Sequence, residues 1–599
     1  MSGPTVGGSA TVHPTVGNPA GGGSATVHPT VGGSFVPGRR EAWLSAGAIF
    51  ALALVVRAVV AASLSFPVPE DTAYYAGVAR NLVEGHGLVT DALWSYQTQP
   101  LVVPRAAFEV WLPLPSLLAA VPIAVAGAAN WFRAAQVVSV VVSSLVAALA
   151  WRLGADVATE MKLPPGRART LGVGTGLVAC FLGPLVVYGA LPDSTALFAA
   201  LSLAACLLMT RIAARPAGAR DRRLLALGLL IGFAGLTRSE ALWLGVAWLL
   251  VAWFWTPAPG GGGSATGSAA GSAGTRLSRL DRARLIAVPA AVAILVFVPW
   301  AVRDWLVFGS PLPGQTIANA LSIKATDIFA YHDQPTLARY LAQGPVALAA
   351  MRVTGIVHNL VMVLIVQAFP IGLAGVLALP WCARLRALRP LLLVAAMTFL
   401  VTSLVFPVST TWGTFLHAAG AIYVLLAVSC LVALDAVIAW VGRIRHWWRP
   451  VAWLGPALAT AVAIPLMFVS VASLDRQAGD TRARFDALPA AMERAGISLS
   501  DNAPIITNSP IWLAETSGVT AVALPEEPPQ TVLALARHFG SKLLVTVGVD
   551  ETREWPGVLD GPDPAAGCFK EVRLTDNSGI APNESSPLAE IRVFLIVCP

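Results

Sequence analysis

Glu70 and Asp71 stand side by side just beyond the first long apolar run of the chain, and Asp193 sits in the turn Leu191-Pro192-Asp193-Ser194 between two later apolar runs. Acids at the edge of membrane-length apolar segments are costly and become functional candidates when a partner is near. A carboxylate within reach of a hydroxyl acts as a general base, and partial burial lifts its pKa toward a useful range. Cations are close by in the pattern: Arg105, Arg133, Arg238, Arg303 and Arg352 all fall at the same ends of apolar segments as the acids. Guanidinium groups there can neutralise a departing phosphate. The combination suits transfer from a phosphate leaving group to a hydroxyl, in which the hydroxyl needs a base and the leaving group needs only charge neutralisation.

Each residue also has a plainer use. A helix over 72–84 places Tyr74, Tyr75, Val78, Ala79, Leu82 and Val83 along one stripe, so it is expected to lie flat on the membrane surface with Asp71 as its N-cap. Asp193 caps a helix starting at Ser194 in the same way. The arginines can snorkel to headgroup phosphate, although Arg238 and Arg303 run against the positive-inside bias.

The elements that must hold these groups follow from composition. Of 599 residues, 56% are hydrophobic and 12% charged, with a mean hydropathy of +0.69. That excludes a water-soluble globule and indicates a polytopic membrane protein. The net charge of +7 resides in short arginine-bearing loops, a topology signal rather than a nucleic-acid footprint. Residues 1–41 are a low-complexity tail in which Ser9 to Gly17 recurs word for word at Ser24 to Gly32. Spans are expected at 42–64, 131–153, 171–189, 194–213, 224–238, 240–256, 285–303, 352–380, 391–408, 417–440 and 451–473. Parity settles the segment 108–127: if it does not cross, the basic loops around Arg167, Arg223, Arg284, Arg386 and Arg443 join Arg39 and Arg40 on the cytoplasmic side. It is therefore read as juxtamembrane, within a first exterior loop covering 65–130. The stretch 257–284 is expected as a flexible cytoplasmic linker, 42–474 as the membrane domain and 475–599 as an exterior α/β domain. Cys568 and Cys598 lie in that last part, where a disulfide would be permitted.

At these residues the chain resembles the GT-C superfamily of polytopic glycosyltransferases, the group that includes protein O-mannosyltransferases and bacterial aminoarabinose transferases. The similar features come in order: the acidic pair followed by Tyr74-Tyr75 and ARNLVEGHGL, then VWLPLPSLL, LPDS, GLTRSEALWL, RDWLVFGSPLP and GTFLHAAGAIYVLLA. The resemblance implies a mainly α fold of about eleven transmembrane helices with juxtamembrane helices and a small C-terminal α/β domain. It implies inverting, single-displacement transfer of a sugar from a polyprenyl-phosphate donor to an acceptor hydroxyl at the outer face of the bilayer. By position, Asp71 looks like the base with Glu70 as second choice, and Asp193 and Glu109 look like residues that hold the acceptor or a metal. Arg303, Arg238, Arg105 and His417 look like contacts to the donor phosphate, His417 being otherwise a satisfied histidine at a helix start. The acid pair is Glu-Asp rather than Asp-Glu, and no Asp-x-Asp motif is present. These departures leave a divalent cation, Mg or Mn, and the choice among lipid, glycan and protein acceptors open. Heavy use of Arg over Lys suits a bacterial plasma membrane. A transporter or flippase of lipid-linked sugars is the competing reading, but it calls for mid-membrane polar groups and matched halves that the sequence does not display.

Overall fold

The computed structural model describes residues 38–214, 221–255, 279–447, 451–548, 553–575, 582–583 and 585–598. The N-terminal repeats and most of the Gly/Ser/Ala linker, 256–278, lie outside them. Helices dominate. In order they are α1 (Arg39–Ser63), α2 (Glu70–Val83), α3 (Leu114–Ala126), α4 (Trp131–Glu160), α5 (Pro165–Phe181), α6 (Gly183–Val187), α7 (Ser194–Ala214), α8 (Arg222–Gly235), α9 (Leu242–Leu250), α10 (Arg279–Phe308) and α11 (Thr316–Leu321). They continue with α12 (Gly344–Val357), α13 (Ile371–Cys382), α14 (Arg389–Leu404), α15 (Thr414–Ala418), α16 (Gly420–Ile444), α17 (Leu454–Arg494), α18 (Pro510–Ser517) and α19 (Pro529–Phe539).

Eight described helical segments are long and apolar enough to cross a membrane: Arg39–Ser63, Ala128–Glu160, Ser194–Ala214, Arg279–Phe308, Gly344–Val366, Arg386–Leu404, Gly420–Ile444 and Leu454–Arg494. In lipid a helix satisfies its own backbone, which is why such runs fold this way. The chain is thus a mainly α membrane protein. Three further expected spans are shorter helices that pack lengthwise on the long ones: α5 on α4, α8 on α10, and α9, extended by a π turn, on α14. Helices α1 and α4 run antiparallel, since Gln136 Nε2 donates to Ala61 O at 3.1 Å, and α1 and α5 both start at the opposite end of the bundle, where Arg169 Nε meets Glu41 at 2.6 Å. The end that holds Gln136 and Ala61 is the site end below.

The expected span 352–380 is interrupted. A π segment, His358–Val366, follows α12, and the chain turns at 367–370 before α13 begins. Pro370 has no N–H to continue the ladder. The Tyr423 hydroxyl donates to Val363 O at 3.0 Å, supplying a bond that the break removes. Segment α3 spans about 20 Å at 1.5 Å per residue, too short for a hydrocarbon core of about 30 Å. Its start is tied to Leu236 O and its end leads directly into α4, so both ends lie at the site end.

The last helix, α17, continues without a break from the bundle through residue 475 and leads into the C-terminal unit. A six-stranded sheet forms there from β1 (Ala92–Leu93), β2 (Ile505–Thr507), β3 (Ala521–Ala523), β4 (Leu543–Val547), β5 (Phe569–Val572) and β6 (Ile591–Ile596), in the order β1-β3-β2-β4-β6-β5. The first four in that order pair parallel, and β6 pairs antiparallel with β4 and β5. β1 comes from the loop after α2, so the sheet joins sequence more than 400 residues apart through pairs such as Ala92 with Ala521. Cys568 and Cys598 are bonded.

The surface-lying expectation for α2 does not hold. Thr72 through Ala79 are all buried, with α3 on one side and α18 on another. Ser116 Oγ donates to Tyr75 O at 2.8 Å, and the Trp512 indole N–H donates to Pro67 O at 2.8 Å. The aromatic stripe read as membrane-facing is packed inside the protein instead.

Candidate active site

Helix α2 begins at Glu70 with Pro69 before it, so Asp71 is inside the first turn and is not the cap. Its carboxylate accepts no hydrogen bond among the described residues, remains partly exposed, and stands 3.6 Å from His417 Nε2. His417 comes from α15, which starts after Gly413; that residue has φ +101°, a conformation that favours glycine, and a Cβ there would meet the imidazole at 3.2 Å. The other ring nitrogen, Nδ1, lies 3.6 Å from Asp193 Oδ2 and 2.8 Å from Thr195 Oγ1.

Asp193 does cap its helix: Thr195 N donates to Asp193 Oδ1 at 2.8 Å. The Thr195 hydroxyl donates to Asp193 Oδ2 at 3.2 Å, so its oxygen is left to accept Nδ1–H. Nδ1 thus faces Thr195 and Asp193, and Nε2 faces Asp71. Tyr188 packs edge-on against the imidazole at 5.6 Å. Two acids far apart in sequence are thus joined through one histidine.

The assembly forms part of the wall of a cavity of about 220 Å³. Arg238 lines it as well, donating to Ser194 Oγ at 3.0 Å, to Thr414 O at 3.2 Å and in a two-point pair to Glu240 at 2.8 and 3.1 Å. Burial pushes the Tyr75 hydroxyl upward, so this cavity-lining group stays a donor at neutral pH. Three indoles, Trp94, Trp111 and Trp412, with Asn319, Ser322 and Ser409, complete much of the rest.

Four of the residues singled out from sequence lie elsewhere. Glu70 accepts from Trp512 N at 3.5 Å, turned toward α18, and burial raises its carboxyl from 4.5 to about 7. It is one residue from Asp71, and the 100° turn per helical residue separates their directions. Arg105 is fully buried, spends its guanidinium on Ser95 O and Thr98 O, and pairs with Glu109 at 3.6 Å. Glu109 is itself buried, its pKa raised by desolvation against the pull of Arg105. Arg303 pairs with Asp304 at 2.9 Å and lies over the rings of Trp300 and Phe308. None of the four lines the cavity. Expected roles for Glu109 with the acceptor, and for Arg105 and Arg303 with phosphate, are replaced by pairing in the folded chain.

Glu240, Thr195 and the three indoles were not picked out from sequence. Glu240 stands in the quoted GLTRSEALWL and Trp111 in the quoted VWLPLPSLL, signals that were available; Trp94 and Trp412 carry none. As for a metal, no group of three or more His, Cys, Asp or Glu side chains among the described residues converges on one point. His417 directs its two nitrogens to opposite carboxylates, which does not fit a shared ion.

No family model matches the chain, and no curated protein matches it either. Solved structures do. ArnT from Cupriavidus metallidurans, bound to undecaprenyl phosphate, is 16% identical with a TM-score of 0.50, covering 93% of this chain and 98% of its own. The archaeal oligosaccharyltransferase AglB from Archaeoglobus fulgidus, in complex with an inhibitory peptide and a dolichol-phosphate, is 14% identical with a TM-score of 0.50, covering 90% and 74%. The Archaeoglobus fulgidus oligosaccharyltransferase in complex with Zn and sulfate is also 14% identical at 0.50, covering 83% and 68%. The chain shares the fold of these structures.

Proposed function

We propose that this chain of GT-C fold is a membrane glycosyltransferase that moves a sugar from a polyprenyl-phosphate donor to an acceptor hydroxyl. One observation carries the reading: Asp71 and Asp193 address the two nitrogens of a single imidazole on the wall of a cavity that also holds Arg238. That the similar ArnT and AglB structures hold undecaprenyl phosphate and dolichol-phosphate supports a lipid-phosphate donor.

In this reading the donor phosphate lies toward Arg238, and the acceptor hydroxyl points at Asp71. As the acceptor oxygen forms its bond to the anomeric carbon, the bond to the phosphate oxygen breaks and the electron pair leaves with the phosphate. The hydroxyl proton passes to Asp71, and the configuration inverts. His417 takes up the charge change: its Nε2 lone pair can receive that proton, and Asp193 with Thr195 holds the imidazolium. No step runs through a metal.

Sidedness follows from charge. Arg39, Arg40, Arg167, Arg169, Arg223, Arg386 and Arg443 sit at the bundle end opposite the cavity, which by the positive-inside rule is cytoplasmic. The cavity and the C-terminal unit then face outward from a plasma membrane, with a bacterium as the source that the Arg-rich composition suits.

The reading is tested with purified protein in vesicles carrying labelled polyprenyl-phosphate mannose, glucose or arabinose. Consumption of one donor with release of polyprenyl phosphate is expected. If labelled lipid crosses the bilayer intact instead, the chain is a transporter.

A further inference from the structure

Asp71, His417, Arg238 and Glu240 bring charged or ionisable groups to the cavity lining, and the Asn319 amide, the hydroxyls of Ser322 and Ser409, and the indoles bring neutral ones. Trp111, Trp94, Phe329 and Trp412 form a continuous row, with ring centroids 4.8, 5.2 and 5.5 Å apart in turn. Its last member, Trp412, lines the cavity and is 44% exposed.

Helix α11 supplies the polar part. Asn319 lines the cavity, and its buried Oδ1 has no hydrogen-bond partner among the described residues. One turn earlier Gln315 is only 4% exposed, and neither its Oε1 nor its Nε2 has a partner. A buried amide oxygen without a partner costs about 1–3 kcal/mol, which a ligand hydroxyl reaching Asn319 would relieve; Gln315 precedes the helix and does not line the cavity. The helix is held for that purpose: Ser409 Oγ donates to Asn319 O at 3.2 Å, and Ser322 Oγ closes back on Ala318 O at 3.0 Å.

Resting on the transferase reading, we infer that the acceptor is a neutral saccharide. Its apolar C–H face stacks on Trp412 and Trp94, and its hydroxyls donate to the Asn319 amide oxygen. An anionic acceptor would meet Asp71 and Glu240, and Arg238, the one arginine or lysine among the described residues that line the cavity, is taken by the donor phosphate in this reading.

Two measurements test this separately from the donor chemistry. Binding is read first, by saturation transfer from the detergent-solubilised protein to methyl glycosides of neutral hexoses and pentoses, to a Ser/Thr peptide and to a phosphorylated glucosamine. Neutral glycosides are expected to show transfer, and Asn319→Leu and Trp412→Ala are expected to lose it at least tenfold in affinity. In vesicles with a consumed polyprenyl-phosphate sugar, octyl glycosides should then act as acceptors, and both variants should raise the acceptor KM at least tenfold and the donor KM less than twofold. Peptide or phosphosugar binding in place of neutral glycosides overturns the inference, as does unchanged glycoside affinity in both variants. If glycosides bind as expected but no donor is consumed, the transferase reading fails and the saccharide site stands.

Discussion

Replacing Arg57 by leucine removes the one guanidinium buried in the body of α1, and the structure says what that costs. Helix α5 ends at Phe181 because the chain breaks and restarts as α6 at Gly183-Pro184. In a continuous helix Cys180 O would accept from residue 184, but proline has no N–H to give. Arg57 takes over, its Nη2 donating to Ala179 O at 3.0 Å and its Nη1 to Cys180 O at 3.4 Å, while Nη1 also reaches Ala53 O at 3.5 Å. Losing it orphans two carbonyls, each worth about 1–3 kcal/mol in a buried setting. Removing a buried charge gives part of that back. We expect a net loss of about 2–4 kcal/mol, read as a fall in apparent Tm of about 3–6 °C in detergent. Pro184→Ala tests the cause, because it restores an N–H opposite Cys180 O. In the Arg57→Leu background it should recover at least half of the lost Tm while lowering activity, since straightening the break moves Tyr188 and Asp193 away from His417. An Arg57→Leu protein as stable as wild type, or no recovery on adding Pro184→Ala, would refute the reasoning.

His417→Phe should lower kcat about 100-fold with the donor KM changed less than threefold, in a steady-state transfer assay, because it removes the bridge between the two acids without touching the donor. Glu70 is expected to make stability fall as pH rises. Below pH 4.5 the carboxyl is protonated in both folded and unfolded chains, whereas between 4.5 and about 7 the folded chain keeps a proton that the unfolded chain has already lost. Glu70→Gln should therefore gain apparent Tm over wild type progressively across that window, and parallel curves would show that Glu70 is not buried as described. Gly375→Ala should destabilise by about 1–3 kcal/mol, since its Cβ would stand 2.4 Å from Leu426 O and 2.8 Å from Leu426 Cα, backbone that cannot rotate away. A thermal melt matching wild type would show that α13 and α16 can separate freely.

Hydropathy alone located the long helices, and parity kept 108–127 from being threaded through the bilayer, because both depend on runs of residues that are contiguous in sequence. What escaped was set by distance in sequence. Ala92–Leu93 becomes a strand only because Ala521–Ala523 is there to pair with it, and α2 is buried between α3 and α18, the second of which lies more than 400 residues along the chain. The same holds at the site. Asp71, Asp193 and His417 were each legible as residues at the right ends of helices, but that one imidazole stands between the two acids was not. Glu109 and Arg105 looked alike in sequence to the cavity residues, and it is their mutual pairing at 3.6 Å that takes them out of it. Trp94 and Trp412 carried no signal, since an isolated tryptophan near a membrane boundary is ordinary.

The most direct test of the account is sugar transfer by Asp71→Asn beside wild type in vesicles, with and without a chelator, together with a thermal melt of both proteins. Asparagine keeps the size of the side chain and removes only the base. We predict that transfer falls at least 1,000-fold (about 4 kcal/mol at 1.36 kcal/mol per decade), that the melt is unchanged, and that the chelator has no effect on wild type. Normal transfer by a correctly folded Asp71→Asn protein would contradict the central claim.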